Sequence, residues 1–164
     1  MIVFNSKMSN WDTVLLIMSN VRDIQLDHFN DRMYFQKLGY LVQQIHHENS
    51  YDFSWYVRGP YSSALASSLF LHEEKGTYKK SSKLSESEIE TKNKISELLG
   101  KQIKNPYSLE LYASLWYLMS GKRISAKEND EIIRIMRKEK PHFQLKDIEH
   151  ALEKISKFRQ KYSI

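Results

Sequence analysis

Apolar side chains recur at helical spacing through most of this chain. Trp11, Val14, Leu15, Met18 and Val21 share one face and predict an amphipathic helix from about Trp11 to Ile24. Ser9 or Asn10 is placed to cap it. Phe35, Leu38, Leu41, Val42 and Ile45 make the buried stripe of a second helix, from about Arg32 to His47, with Asn30 or Asp31 as the cap. Gly39 lies inside that helix. It costs about 1 kcal/mol relative to alanine there, so a close neighbour is expected against it.

The period then changes from helical to alternating. Tyr51, Phe53, Trp55 and Val57 alternate with Asp52, Ser54, Tyr56 and Arg58, which predicts a strand with one face buried. Gly59-Pro60 is expected to stop it. Ser62 or Ser63 caps the next helix, which runs through Leu65, Leu69 and His72 to a C-cap at Gly76. Thr77 to Lys80 reads as a short second strand pairing with the first, and Ser81-Ser82-Lys83 as a wing or hinge. The remainder is helical. Ser85-Glu86-Ser87-Glu88 is a capping-box pattern opening a helix that ends at Gly100. Asn105-Pro106 starts another, apolar nearly all round from Leu109 to Met119, which makes it the expected core helix. Ser125-Ala126-Lys127-Glu128 is a second capping box, ahead of a helix through Ile132 and Met136 that Pro141 stops. Ile148, Ala151, Leu152, Ile155, Phe158 and Tyr162 form the stripe of the last.

Length and composition bound the rest. At 164 residues the chain has room for one domain, and 41% hydrophobic with 27% charged residues is an ordinary globular balance. The absence of cysteine excludes disulfides, thiolate nucleophiles and cysteine-ligated metals. The best candidate for a membrane span, Val14 to Met18, is five residues, against about 20 needed. No basic region followed by an apolar run and a cleavage site opens the sequence, so the expected location is cytoplasmic, with no membrane partner. Charge is lopsided. Residues 1–74 hold five Lys/Arg against eight Asp/Glu, and residues 75–164 hold twenty against twelve. A basic half invites a polyanion, because neutralised phosphates release counterions. Lysines on solvated helix faces are the plainer explanation.

Chemistry-bearing patterns are sparse. There is no phosphate-binding glycine loop, no nucleophile elbow and no zinc helix. His46-His47-Glu48 and His72-Glu73-Glu74 group histidine with carboxylates, but adjacent helical residues diverge by about 100°, so both read as solvated helix ends. His142 and His150 read as surface residues. No catalytic residue, metal or cofactor is expected, and the chain reads as a non-enzyme; a hydrolase with a His/carboxylate site is a minor alternative. Trp55 to Ser62 is the most informative segment. Arg58, Tyr61 and Ser62 sit where a strand turns into a helix, and a new helix N-terminus can receive an anion or a partner.

Phe35-Gln36-Lys37-Leu38-Gly39-Tyr40-Leu41, followed by Tyr51-Asp52-Phe53 and by Trp55 to Ser62, resembles the YwgA-like family of small prokaryotic proteins without an established activity. Leu109-Glu110-Leu111-Tyr112-Ala113-Ser114 and Lys140-Pro141-His142-Phe143 extend the resemblance, which covers about Trp11 to Ile155. The glutamine–lysine helix followed by Gly-Pro is also similar, more distantly, to Panacea or SocA-like antitoxin domains. Those imply toxin neutralisation or phage-related regulation. Gly39 departs from the pattern, standing where a larger apolar residue is expected, as does Ser67, where an acidic residue is usual.

The expected architecture is mainly α with a small β element. Residues 1–164 form one domain, with a winged-helix-like part (1–83) packed on a helical part (84–164). The expected function is regulatory or adaptor, binding DNA or a protein partner, with an antitoxin-like role as the alternative. For DNA, the helix from Ser62 to Lys75 would enter the major groove while Lys75, Lys79, Lys80 and Lys83 hold phosphates. Glu73 and Glu74 on that helix favour a protein partner. A homodimer is the commonest state for a small regulator.

Overall fold

A computed structural model describes residues 11–75, 83–121 and 129–164. The fold is mainly helical with a small two-stranded antiparallel sheet. Helices α1 (Trp11–Val21) and α2 (Phe29–His46) lead into strands β1 (Ser54–Tyr56) and β2 (Gly59–Tyr61). Helices α3 (Ser63–Lys75), α4 (Glu86–Leu99), α5 (Pro106–Met119), α6 (Asn129–Glu139) and α7 (Leu145–Tyr162) follow. A 3-10 turn over Gly100–Lys104 joins α4 to α5. The expected cap of α1, Gly76, the strand at 77–80 and the capping box at 125–128 lie outside the described residues.

Helix boundaries follow local chemistry. Ser85 Oγ accepts from the Glu88 backbone N–H while the Glu88 carboxylate accepts from the Ser85 N–H, so the capping box at the start of α4 closes reciprocally. Asn105 caps α5 through the Tyr107 N–H, with Pro106 at the first helical position. Helix α2 begins earlier than its apolar stripe indicates: His28 is the N-cap, and Asp31 sits in the first turn. There the Asp31 carboxylate accepts from the His28 N–H and from Arg22, whose hydrogen bond and charge hold it below the usual carboxylate range.

Helix α2 is the hub. It packs against α5, α4 and α1 in one continuous core that includes Val14, Met18, Phe35, Leu38, Leu41, Leu111 and Leu115. Helix α5 is buried along most of its length, as its all-round apolar composition predicts. Gly39 is the point of closest approach. A Cβ there would stand 2.6 Å from Leu65 Cδ2 and 3.2 Å from Met18 Sδ, so the missing side chain is what lets α1 and α3 close onto α2. Among the described residues, no helix is long and apolar enough to cross a membrane.

The aromatic segment corrects one expectation. The strand does not run from Tyr51 to Arg58 with Gly59-Pro60 ending it. Regular pairing covers only Ser54–Tyr56, and Gly59–Tyr61 is its partner strand, in register Tyr56↔Gly59, Trp55↔Pro60 and Ser54↔Tyr61. Val57 and Arg58 form the two-residue tip, and Gly59 takes φ +89°, a backbone region open to glycine. Proline is tolerated because each strand of a two-stranded sheet is an edge. Helix α3 then starts directly after the hairpin, as expected.

Candidate functional site: the hairpin corner and its groove

Four side chains of α2 face the corner or the segment before it. Two glutamines seven residues apart hold the two ends of the hairpin segment. The Gln36 amide donates to the Ser62 carbonyl at 2.9 Å and accepts from the Ser62 N–H at 2.9 Å. The Gln43 amide does the same to Tyr51, at 2.8 and 2.9 Å. Each clamp satisfies a buried N–H and C=O that no strand reaches. Gln36, Lys37 and Gln43 are polar residues on a buried helix, and this is their reason: Lys37 Nζ donates to the Pro60 carbonyl at 2.7 Å. Burial pushes the Lys37 ammonium down to about 7, opposed by the nearby Glu110 charge. The fourth side chain is Tyr40, whose ring stacks edge-on against Phe53.

Helix α5 supplies a buried carboxylate. Glu110 is 1% exposed. Around it stand His142 Nε2 at 3.2 Å, Arg58 Nη1 at 3.6 Å and Lys140 Nζ at 3.7 Å. Lys140 also donates to the Val57 carbonyl at the hairpin tip and lies 4.8 Å from the Trp55 ring centre. Desolvation lowers the Lys140 pKa, and Glu110 partly restores it. Trp55 Nε1 donates to Glu139 at 2.7 Å. One turn along α5, Ser114 Oγ is buried with no hydrogen-bond partner among the described residues, and it occupies the space a Gly59 Cβ would need. The hairpin is therefore held from α2 on one side and from α5 and the end of α6 on the other.

This frame raises an open groove of about 750 Å³ between the first half of α2, the hairpin and α3. Met33 and Leu69 line it with the rim residues Phe29, Tyr56, Val57 and Phe70. The rim side chains are 55%, 56%, 82% and 54% exposed. Among the described residues, the charged side chains lining it are Arg32, Lys37 and Arg58.

The expected site residues are distributed as follows. Arg58 and Tyr61 line the groove, with the Tyr61 ring edge-on to Tyr56 at 5.2 Å. Ser62 is buried, and its hydroxyl accepts from the Leu65 N–H, which makes it the cap of α3. Lys75 and Lys83 are exposed, and Lys79 and Lys80 lie outside the described residues. His46 is not a freely solvated helix end, because its Nδ1 meets Thr91 Oγ1 on α4 at 2.6 Å. His72 is buried, and burial lowers its pKa. His142 is exposed, as expected, and its Nε2 faces Glu110. Sequence reasoning passed over Glu110, Lys37 and Lys140 as site residues. The available signal was a lone carboxylate in an otherwise apolar helix, and a lysine at an apolar helical position. No family model, curated protein or solved structure matches this chain.

Proposed function

We propose that this chain is a non-enzymatic regulatory or adaptor protein that docks a segment of a protein partner in the groove between α2, α3 and the hairpin. The observation that carries this reading is the rim, where Phe29, Tyr56, Val57 and Phe70 each expose more than half of their surface around one depression. Contiguous apolar surface of this kind marks interaction sites. A small ligand would cover the floor and leave these four side chains in water, whereas a polypeptide segment covers floor and rim together. Helix α3 supports the same choice over DNA. Its exposed positions include Phe70, Leu71, Glu73 and Glu74, with Lys75 as its one lysine. A helix in the major groove meets phosphates and base edges, for which cations and amides are the usual partners. The resemblance to antitoxin-like domains extends the proposal: the partner is then a toxin held inactive by the complex.

The test is capture from native cells with a tagged chain and single variants. Phe70→Asp and Val57→Asp each place a charge on an exposed rim position. Ile89→Asp does so at an exposed apolar position outside the groove, 46% exposed on α4. One partner captured by the wild type and by Ile89→Asp, and lost from both rim variants, supports docking in the groove. Equal capture by all four chains overturns it. A salt-sensitive gel shift that the rim variants leave unchanged would transfer the function to nucleic acid.

A further inference from the structure

We propose that the groove's occupant is an acidic amphipathic segment, with apolar anchors for the rim and carboxylates for the Arg58 end and for Arg32; this rests on the docking reading above. Among the described residues, the charged side chains that line the groove are all basic, with no carboxylate among them. Arg32 Nη1 rests on the backbone carbonyls of Leu26 and Asp27, at 2.8 and 3.2 Å, acceptors without net charge. Arg58 is held more loosely. Its side chain is half exposed, and its carboxylate neighbour, Glu110, stands 3.6 Å away and is shared with Lys140 and His142. One buried carboxylate is thus shared among three side chains, and the half-exposed guanidinium at the hairpin tip has more donors than Glu110 takes up.

A carboxylate arriving at Arg58 completes a charge-assisted pair that Glu110 does not saturate. An incoming lysine would meet Arg32 and Arg58 as like charges, which gives the groove a sign preference as well as a shape preference. The apolar rim supplies affinity and the guanidinium groups supply selection. A second copy of this chain could also seat Phe70 or Val57 in the groove, and the test below separates that case.

The experiment uses three fluorescently labelled peptides of about 18 residues. The first has leucines at helical spacing flanked by glutamates. The second is the same pattern with lysine in place of each glutamate. The third is a scramble of the first. Binding is followed by anisotropy with the full chain, at about 50 and about 300 mM salt. The patterned acidic peptide is expected to bind roughly tenfold tighter than either of the others. That preference shrinks at the higher salt, falls about threefold to fivefold in Arg58→Gln, and binding vanishes in Phe70→Asp. Equal binding of the acidic and basic patterned peptides, lost in Phe70→Asp, overturns the acidic preference and leaves groove docking standing. Equal binding of the scramble, or no binding of any peptide, overturns both. Sedimentation that shows a dimer dispersed by Phe70→Asp would give the groove to a second copy and overturn the acidic segment.

Discussion

At the scale of single residues, the corner depends on side chains that replace missing backbone partners. Gln36 meets both the N–H and the C=O of Ser62, but the carbonyl also accepts from the Ala66 N–H at 3.1 Å, so Gln36→Leu orphans the buried Ser62 N–H. Such an orphan costs about 1–3 kcal/mol, and Gln36→Leu is expected to lower stability in urea by about that much. A loss below about 1 kcal/mol would mean that water or another side chain takes over the clamp. Gly39 sets a second residue-scale expectation. Alanine favours the helix by about 1 kcal/mol, but its Cβ would press on Leu65 Cδ2, and overpacking costs about 1–3 kcal/mol. Gly39→Ala is therefore expected to destabilise, and Leu65→Val in the same chain to recover part of the loss. A double-mutant cycle in urea measures this coupling, and simple additivity would contradict it.

At the scale of elements, the helices were legible in the sequence and the hairpin only in part. Capping boxes, Asn-Pro and apolar stripes are local signals, and α4, α5 and α7 follow them closely. The hairpin turns on relations between distant residues. Gly59-Pro60 reads locally as a stop, yet it forms the return strand because Lys37 takes the Pro60 carbonyl and Ser114 fills the space beside Gly59. Glu110 was legible only in part: it is the lone carboxylate of an apolar helix, but its partners Lys140, Arg58 and His142 come from distant segments. Its role predicts that Glu110→Gln leaves buried Lys140 without its counter-charge and destabilises by about 3–5 kcal/mol. Lys140→Met combined with it is expected to recover part of that loss in thermal or urea unfolding. A double variant as unstable as the sum of the singles would separate the two residues energetically.

At the scale of the whole molecule, two buried lysines couple stability to pH. Burial lowers the pKa of both Lys37 and Lys140, with Lys37 reaching about 7 against an ordinary 10.5. Between these values the unfolded chain binds the proton that folded Lys37 has released, so stability rises with pH from about 7 toward 10. Above that range the sign reverses. Tyr34, held up at about 12, keeps its proton in the folded state after the unfolded chain has lost it, so its contribution falls. Urea unfolding between pH 7 and 9.5, roughly the span set by these shifts, should show the rise, and Lys37→Met should flatten it. A flat wild-type profile would contradict a buried, easily deprotonated lysine.

The same scale joins frame and surface. The clamps and the buried charges fix the hairpin, the hairpin and α3 fix the groove, and the groove presents apolar side chains that a lone protein has reason to cover. The most direct measurement of that claim is site-specific photo-crosslinking in native cells, with a crosslinking residue placed at Phe70 and, separately, at Ile89. The account predicts a discrete protein adduct from position 70 that is absent from position 89. Adducts of equal yield from both positions, or adducts to nucleic acid from position 70, would contradict it.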